Sequence, residues 1–456
     1  MTKGLFSEFD EVSTKQWKQK IQFELNGADY QTLVWHSNED ISVKPFYNAD
    51  DLKDISQTSN TQATAWRICD TVFVNDTEKA NKKALKSIHQ GAESIKFIIP
   101  NHDISIDALL TDIDSKKVLL HFELHFLNSD FVKQLFNAVS DKKSFIHTDI
   151  IGKLAKTGNW FNNMNSDIDQ FKSIAQQTNS FSINATLYQN AGANMVQQLA
   201  YALAHANEYL NILDEELTSE SKQQTKVIFN IAVGSNYFFE IAKLRALRLL
   251  WETLASEYQV KSECHILVTP SKRNKTVYDY NTNIIRSTTE CMSSILGGAN
   301  TICNLPYDSV FHKSNSFSER IARNQLLILK HESYFDKVNN PTDGSYYMES
   351  LTNQLAEKAL ALFKDIEVNG GFLKQLKVGT IQRKIKESAQ KEQEQFDNNK
   401  DILVGSNKYP NPEDKMKKEL ELYPFVKTHY RKTLIEPIIE KRLAESLEQK
   451  RLNNEN

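Results

Sequence analysis

Apolar residues along the middle of this chain fall into two alternating rhythms. Short runs rich in β-branched and aromatic residues, at 67–74, 95–99, 118–122, 144–150, 181–187, 226–233, 264–268 and 301–305, predict strands. Between them apolar residues recur every third or fourth position, most clearly at 77–89, 193–211, 237–254, 281–296 and 318–331, and predict helices. Eight strand–helix units over residues 67–331 predict an α/β fold, a (β/α)8 TIM barrel. A doubly wound sheet shares this alternation and stays open as the structural alternative.

The flanks differ. Residues 1–60 read as an arm: Ser13 is an N-cap with Gln16 as its capping-box partner, and Trp17, Ile21 and Leu25 make one apolar stripe. The runs 30–35 and 43–47 are too short for a core, so the arm buries its aromatics either on its own barrel or on a partner subunit. Residues 61–400 hold the barrel. Residues 401–456 are a charged tail, broken by Tyr409, Pro410, Asn411 and Pro412 and ending in a helix predicted over 435–452.

Charge narrows the function classes. Net charge is −3, which leaves no polyanion-binding footprint. The opening residues, Met1 to Glu8, lack a basic region followed by an apolar one and include an acid, unlike a secretory signal or transit peptide. No apolar run reaches the roughly 20 residues of a membrane span. Cys69, Cys264, Cys291 and Cys303 show no Cys-x-x-Cys spacing and read as buried free thiols, so a cytoplasmic location is expected. No glycine-rich phosphate cradle follows any strand.

Several constellations could carry chemistry. His121, Glu123 and His125 share one face of a strand and are zinc-type ligands, but same-face neighbours lie about 6–7 Å apart, wide for one ion, so a half-buried polar face is the expected reading. Lys243, Arg245 and Arg248 form the polar remainder of a mostly apolar helix, expected to be exposed or paired to acids. Arg286 and Glu290, four apart, can pair, and Gly297 or Gly298 fits the left-handed position that closes their helix. His147, Tyr188, Asp308 and His312 could face a barrel mouth, yet none has a partner at diagnostic spacing.

Segments 182–194, 238–251, 280–300, 319–324 and 341–347 resemble, in order and spacing, the barrel domain of the methylmalonyl-CoA mutase family. Segments 25–30, 33–35, 43–47, 149–152 and 157–160 are similar to the small, or beta, chain of the heterodimeric members. The resemblance implies a carbon-skeleton rearrangement between methylmalonyl-CoA and succinyl-CoA, with adenosylcobalamin supplying the radical. It also exposes departures. Where the catalytic chain carries tyrosine, histidine and glutamate after one strand, this chain has Thr186, Leu187 and Asn190, and Thr71 or a neighbour stands at the other catalytic tyrosine. No Asp-x-His-x-x-Gly string occurs, and the residues after 400 are too few for a cobalamin-binding flavodoxin-like domain, which needs about 100.

The resemblance therefore implies a silent small subunit with no catalytic, cofactor-binding or metal residue of its own. It would support a large (alpha) subunit that holds the adenosylcobalamin and handles methylmalonyl-CoA and succinyl-CoA, with neither nucleic acid nor membrane as partner. Two alternatives remain: an active acyl-CoA mutase barrel whose cobalamin domain is a separate chain, and an assembly protein reusing the barrel. A barrel axis plugged by bulky side chains would exclude a pantetheine arm.

Overall fold

The computed structural model describes residues 8, 10, 12–52, 61–139, 144–427 and 430–455. The opening residues Met1 to Ser7 and the arm–barrel boundary at 60 lie outside them. Two short strands, β1 (Trp35–His36) and β2 (Ser42–Val43), pair antiparallel in the arm. Eight parallel strands then form the barrel: β3 (Arg67–Phe73), β4 (Ser94–Ile99), β5 (Leu119–Leu124), β6 (Phe145–His147), β7 (Ser180–Asn184), β8 (Lys226–Val233), β9 (Cys264–Pro270) and β10 (Thr301–Cys303).

Each strand follows the period-two rule. On β8 Val227, Phe229 and Val233 turn outward onto helices, while Asn230 and Ala232 turn inward. On β4 Ile95, Phe97 and Ile99 face the helices, and Lys96 and Ile98 face the interior. Asx N-caps start the helices that follow. Asp76 accepts from Lys79 N, Asn128 from Phe131 N and Asp149 from Gly152 N. Asn194 makes a full capping box with Gln197 and opens the helix Met195–Leu213. Just before it, Gly192 has a φ of 95°, and an added Cβ would sit 2.6 Å from the Ala389 Cβ.

The barrel is hydrogen-bonded in the order β6-β5-β4-β3-β10-β9-β8-β7, which leaves one seam between β6 and β7 without ladder pairing. Side chains bridge it instead: Ser182 Oγ donates to Thr148 O at 3.3 Å, and Asp149 accepts from Asn184 N at 2.7 Å.

The arm divides. Around its helix Thr14–Glu24 no residue is buried, and Trp17 and Phe23 stay exposed. Residues from Trp35 onward lie on the chain's own barrel: Trp35 meets Phe239 edge-on, Glu39 accepts from Met195 N, and Tyr47 packs on Tyr347.

The tail corrects one expectation. Among the described tail residues helix is found only over Glu445–Asn453, not over 435–452. Pro437 lacks an N–H and disfavours helix before it. The preceding amides are spent on the barrel: Leu434 N and Ile435 N donate to Gly158 O, Ile438 N to Ala155 O, Lys441 N to Asn190 O and Leu443 N to Arg273 O. The tail thus lies across the loops that follow β6, β7 and β9, on the face where barrel enzymes carry their chemistry.

Candidate functional site

At the C-terminal end of the strands the barrel encloses a polar cavity of about 330 Å³. Thr71, Lys96, Glu123, Asn184, Thr186, Asn230, Thr269 and Asn304 line it. The Lys96 ammonium lies 2.5 Å from Glu123. Burial disfavours the Lys96 charge, but Glu123 outweighs burial and holds its pKa above the ordinary lysine value. Burial likewise opposes ionisation of Glu123, and Lys96 with His125 holds that carboxyl well below its usual range. The pair is matched charge for charge, so it offers hydrogen bonds and a local dipole rather than a free acid or base.

Below the cavity the axis is filled by rings. Asn230 contacts His147 Nδ1 at 3.1 Å, and His147 Nε2 lies 3.0 Å from His121 Nδ1. His121 stacks on Phe145 with centroids 5.2 Å apart and lies 5.3 Å from His265, itself 4.4 Å from Phe145. Burial, with neighbouring charges, drives all three imidazoles down: His147 and His265 fall to about 3, and His121 well below its ordinary value. They are neutral rings acting as filling.

These positions settle several expectations. His121 and Glu123 do share a face, the barrel interior, while His125 lies exposed just past the strand end, and their partners differ. His121 meets His147, Glu123 meets Lys96, and the exposed His125 lies 3.5 Å from Glu123. Among the described residues no group of three His, Cys, Asp or Glu is placed to hold a metal ion. Arg286 does not bridge Glu290: it donates to Thr276, Asn283 and Val404 O, while Glu290 takes the buried Lys275 at 2.7 Å. The loop after β9 brings Lys275 there, a partner the helical spacing could not show. Gly298, with φ of 85°, takes the left-handed position, not Gly297.

The basic residues of Tyr237–Glu257 are structural. Lys243 meets Glu240 at 2.5 Å, Arg245 meets Glu349 at 2.6 Å, and Arg248 donates to Gly298 O and Asn300. His312 and Asp308 do pair, at 3.2 Å, but neither lines the cavity. Tyr188 turns away from the mouth into the core, where its hydroxyl meets His205; His205 lies 3.0 Å from Asp149, which also accepts from Tyr209. All four cysteines are free and buried.

Of the positions singled out by resemblance, Thr71, Thr186 and Asn190 line the cavity, and Leu187 does not. Leu187 is 4% exposed and belongs to the main apolar core. Pattern reading missed Lys96, although a lone lysine at an inward position of an otherwise apolar strand is a usable signal.

Comparison with known proteins places these features. The family model described as methylmalonyl-CoA mutase matches residues 138–452. The methylmalonyl-CoA mutase small subunit of Porphyromonas gingivalis is 34% identical over 440 residues, covering 89% of this chain and 71% of that one. Methylmalonyl-CoA mutases of Rhizobium meliloti and Cereibacter sphaeroides are 29% and 30% identical, over 88% and 86% of this chain. The chain spans 64% of the length of each of these two. With the family model matching residues 138–452 and a 34% identical relative covering 89% of its length, the chain belongs to the methylmalonyl-CoA mutase family.

Proposed function

We propose that this chain is the non-catalytic small subunit of an adenosylcobalamin-dependent methylmalonyl-CoA mutase, and that it stabilises a large catalytic subunit. The observation that carries this reading is the ring plug of His121, His147, His265 and Phe145 across the barrel axis. A pantetheine arm has no path through it. Leu187 and Thr186 add to this, because neither can move a proton at the place where the family's catalytic chain carries histidine and tyrosine.

The residues present do not fit a corrin cofactor. Residues 434–443 of the chain's own tail are hydrogen-bonded along the rim between β6 and β9. The cavity beneath, about 330 Å³, lies at the low end of the roughly 300–1,000 Å³ typical of drug-sized ligands, well short of a corrin. No step is assigned to the cofactor on this chain; in the holoenzyme it would supply the radical on the partner.

Residues 1–60 are the proposed partner contact, with Trp17 and Phe23 exposed on the arm. Residues 61–400 are the barrel unit and 401–456 the rim-covering tail. Pairing would raise the partner's stability by mass action.

The test is to purify the chain alone and co-expressed with the large mutase subunit of the same organism. A stable one-to-one complex is expected, with turnover of methylmalonyl-CoA only in its presence. Turnover by the isolated chain with added adenosylcobalamin would overturn the silent-subunit reading. Failure to form any complex would overturn the small-subunit reading.

A further inference from the structure

Two of the four buried thiols are neighbours. Cys69 on β3 and Cys303 on β10 are register partners in adjacent parallel strands, and both turn into the barrel interior beside Leu267. Adjacent strands lie about 4.7–4.9 Å apart, inside the 4.4–6.8 Å range of Cα separations that a disulfide spans. The Cys69 S–H donates to Asp70 O at 3.7 Å, which leaves its sulfur facing Cys303 across the ladder.

Their surroundings differ in the way that separates a nucleophile from a spectator. Cys303 borders the mouth cavity and Cys69 does not. The neighbouring Cys69 thiol, with help from the Lys96 ammonium and Thr71, holds the Cys303 thiol below its ordinary value against burial and the Asp70 carboxylate. Burial pushes Cys69, Cys264 and Cys291 up.

We propose that Cys303 and Cys69 form a reactive thiol pair, in which a hydroperoxide entering the mouth cavity oxidises Cys303 and Cys69 closes an intrachain disulfide between β10 and β3. In the first step the Cys303 thiolate attacks a peroxide oxygen. The S–O bond forms, the O–O bond breaks, sulfur gives up two electrons, and water or an alcohol leaves. In the second the Cys69 sulfur attacks the sulfenic sulfur. The S–S bond forms, the S–O bond breaks, and hydroxide departs as water with the Cys69 proton. The bond would lock two strands that already share a ladder, so the barrel need not open.

Peptide mapping of the full chain tests this after brief exposure to stoichiometric hydrogen peroxide and quenching with iodoacetamide. The expected product joins the Cys69 and Cys303 peptides with loss of two hydrogens, is reversed by dithiothreitol, and leaves Cys264 and Cys291 unmodified. In Cys69→Ser, oxidation should stop at a sulfenic acid on Cys303 that dimedone traps. In Cys303→Ser, Cys69 should stay reduced. A measurement on the unaltered chain guards against misfolded variants: native iodoacetamide labelling of Cys303 should outpace Cys264 and Cys291 by about tenfold or more. Equal labelling, first oxidation at Cys264 or Cys291, or unlinked Cys69 and Cys303 peptides in folded, peroxide-treated protein would each overturn the proposal.

Discussion

His121 Nδ1 and His147 Nε2 face each other at 3.0 Å inside the barrel, so one proton serves both nitrogens. An added proton would place a positive ring beside Lys96, and burial already holds both rings, with His265, far below the ordinary histidine value. The sign follows by linkage. The folded state keeps these rings neutral while the unfolded chain protonates them near pH 6.5, so their contribution is intact above that pH and lost as pH falls toward about 3. Urea midpoints of the chain should drop steadily from pH 6.5 to 5, with roughly two to three protons taken up on unfolding. A flat midpoint across that window would contradict the buried neutral trio.

Phe145 fills the axis between His121 and His265. Phe145→Ala should cost about 3–5 kcal/mol by leaving a cavity that neighbouring strands cannot collapse into. Thermal and chemical denaturation measure it, and a loss below about 1 kcal/mol would mean the rings are not packed as a plug.

Lys275 and Glu290 form a fully buried ion pair at 2.7 Å. Glu290→Gln leaves an uncompensated buried ammonium and should destabilise by about 3–5 kcal/mol. The double change Lys275→Met with Glu290→Leu should recover much of that loss. A double variant as unstable as the single would show that packing, not charge, is at stake.

Leu187 can be tested by restoring the family histidine. Leu187→His puts an imidazole into apolar core rather than into the mouth, at a cost of roughly 2–4 kcal/mol. Thermal melts should show the loss, and turnover of methylmalonyl-CoA should stay absent. Any gain of activity would place the position in the site after all.

Ile438 anchors the tail to the rim, buried beside the helix that carries Ala155. Ile438→Asp should release residues 434–443 and make them the first site of limited proteolysis, with the barrel core still resistant. Cleavage elsewhere first would mean the tail is held by other contacts.

Much of the barrel was legible because its strands stand out as short runs rich in β-branched and aromatic residues, set between helices with apolar residues every third or fourth position. All eight strands lie where the runs of β-branched residues predict them. The short helix Thr186–Ala191 is hidden in the sequence, because the run through Leu187 predicts strand there. The tail departs from the helix expected over 435–452 because Pro437 interrupts it and its amides are spent on barrel carbonyls, contacts distant in sequence. The candidate site was legible only in part. Thr186 and Asn190 could be placed from resemblance, but the ring plug joins residues from β5, β6 and β9, and that convergence depends on strand register, which no local pattern encodes.

The seam between β6 and β7 has a consequence for how the barrel breathes. Elsewhere each strand is zipped to both neighbours, so its amides exchange with solvent deuterium only when much of the barrel opens. Across the seam the tie runs through Ser182 and through Asp149, which also caps a helix and holds His205 and Tyr209. Deuterium should therefore enter first at β6 and β7, making one carboxylate the hinge pin of an otherwise continuous hoop.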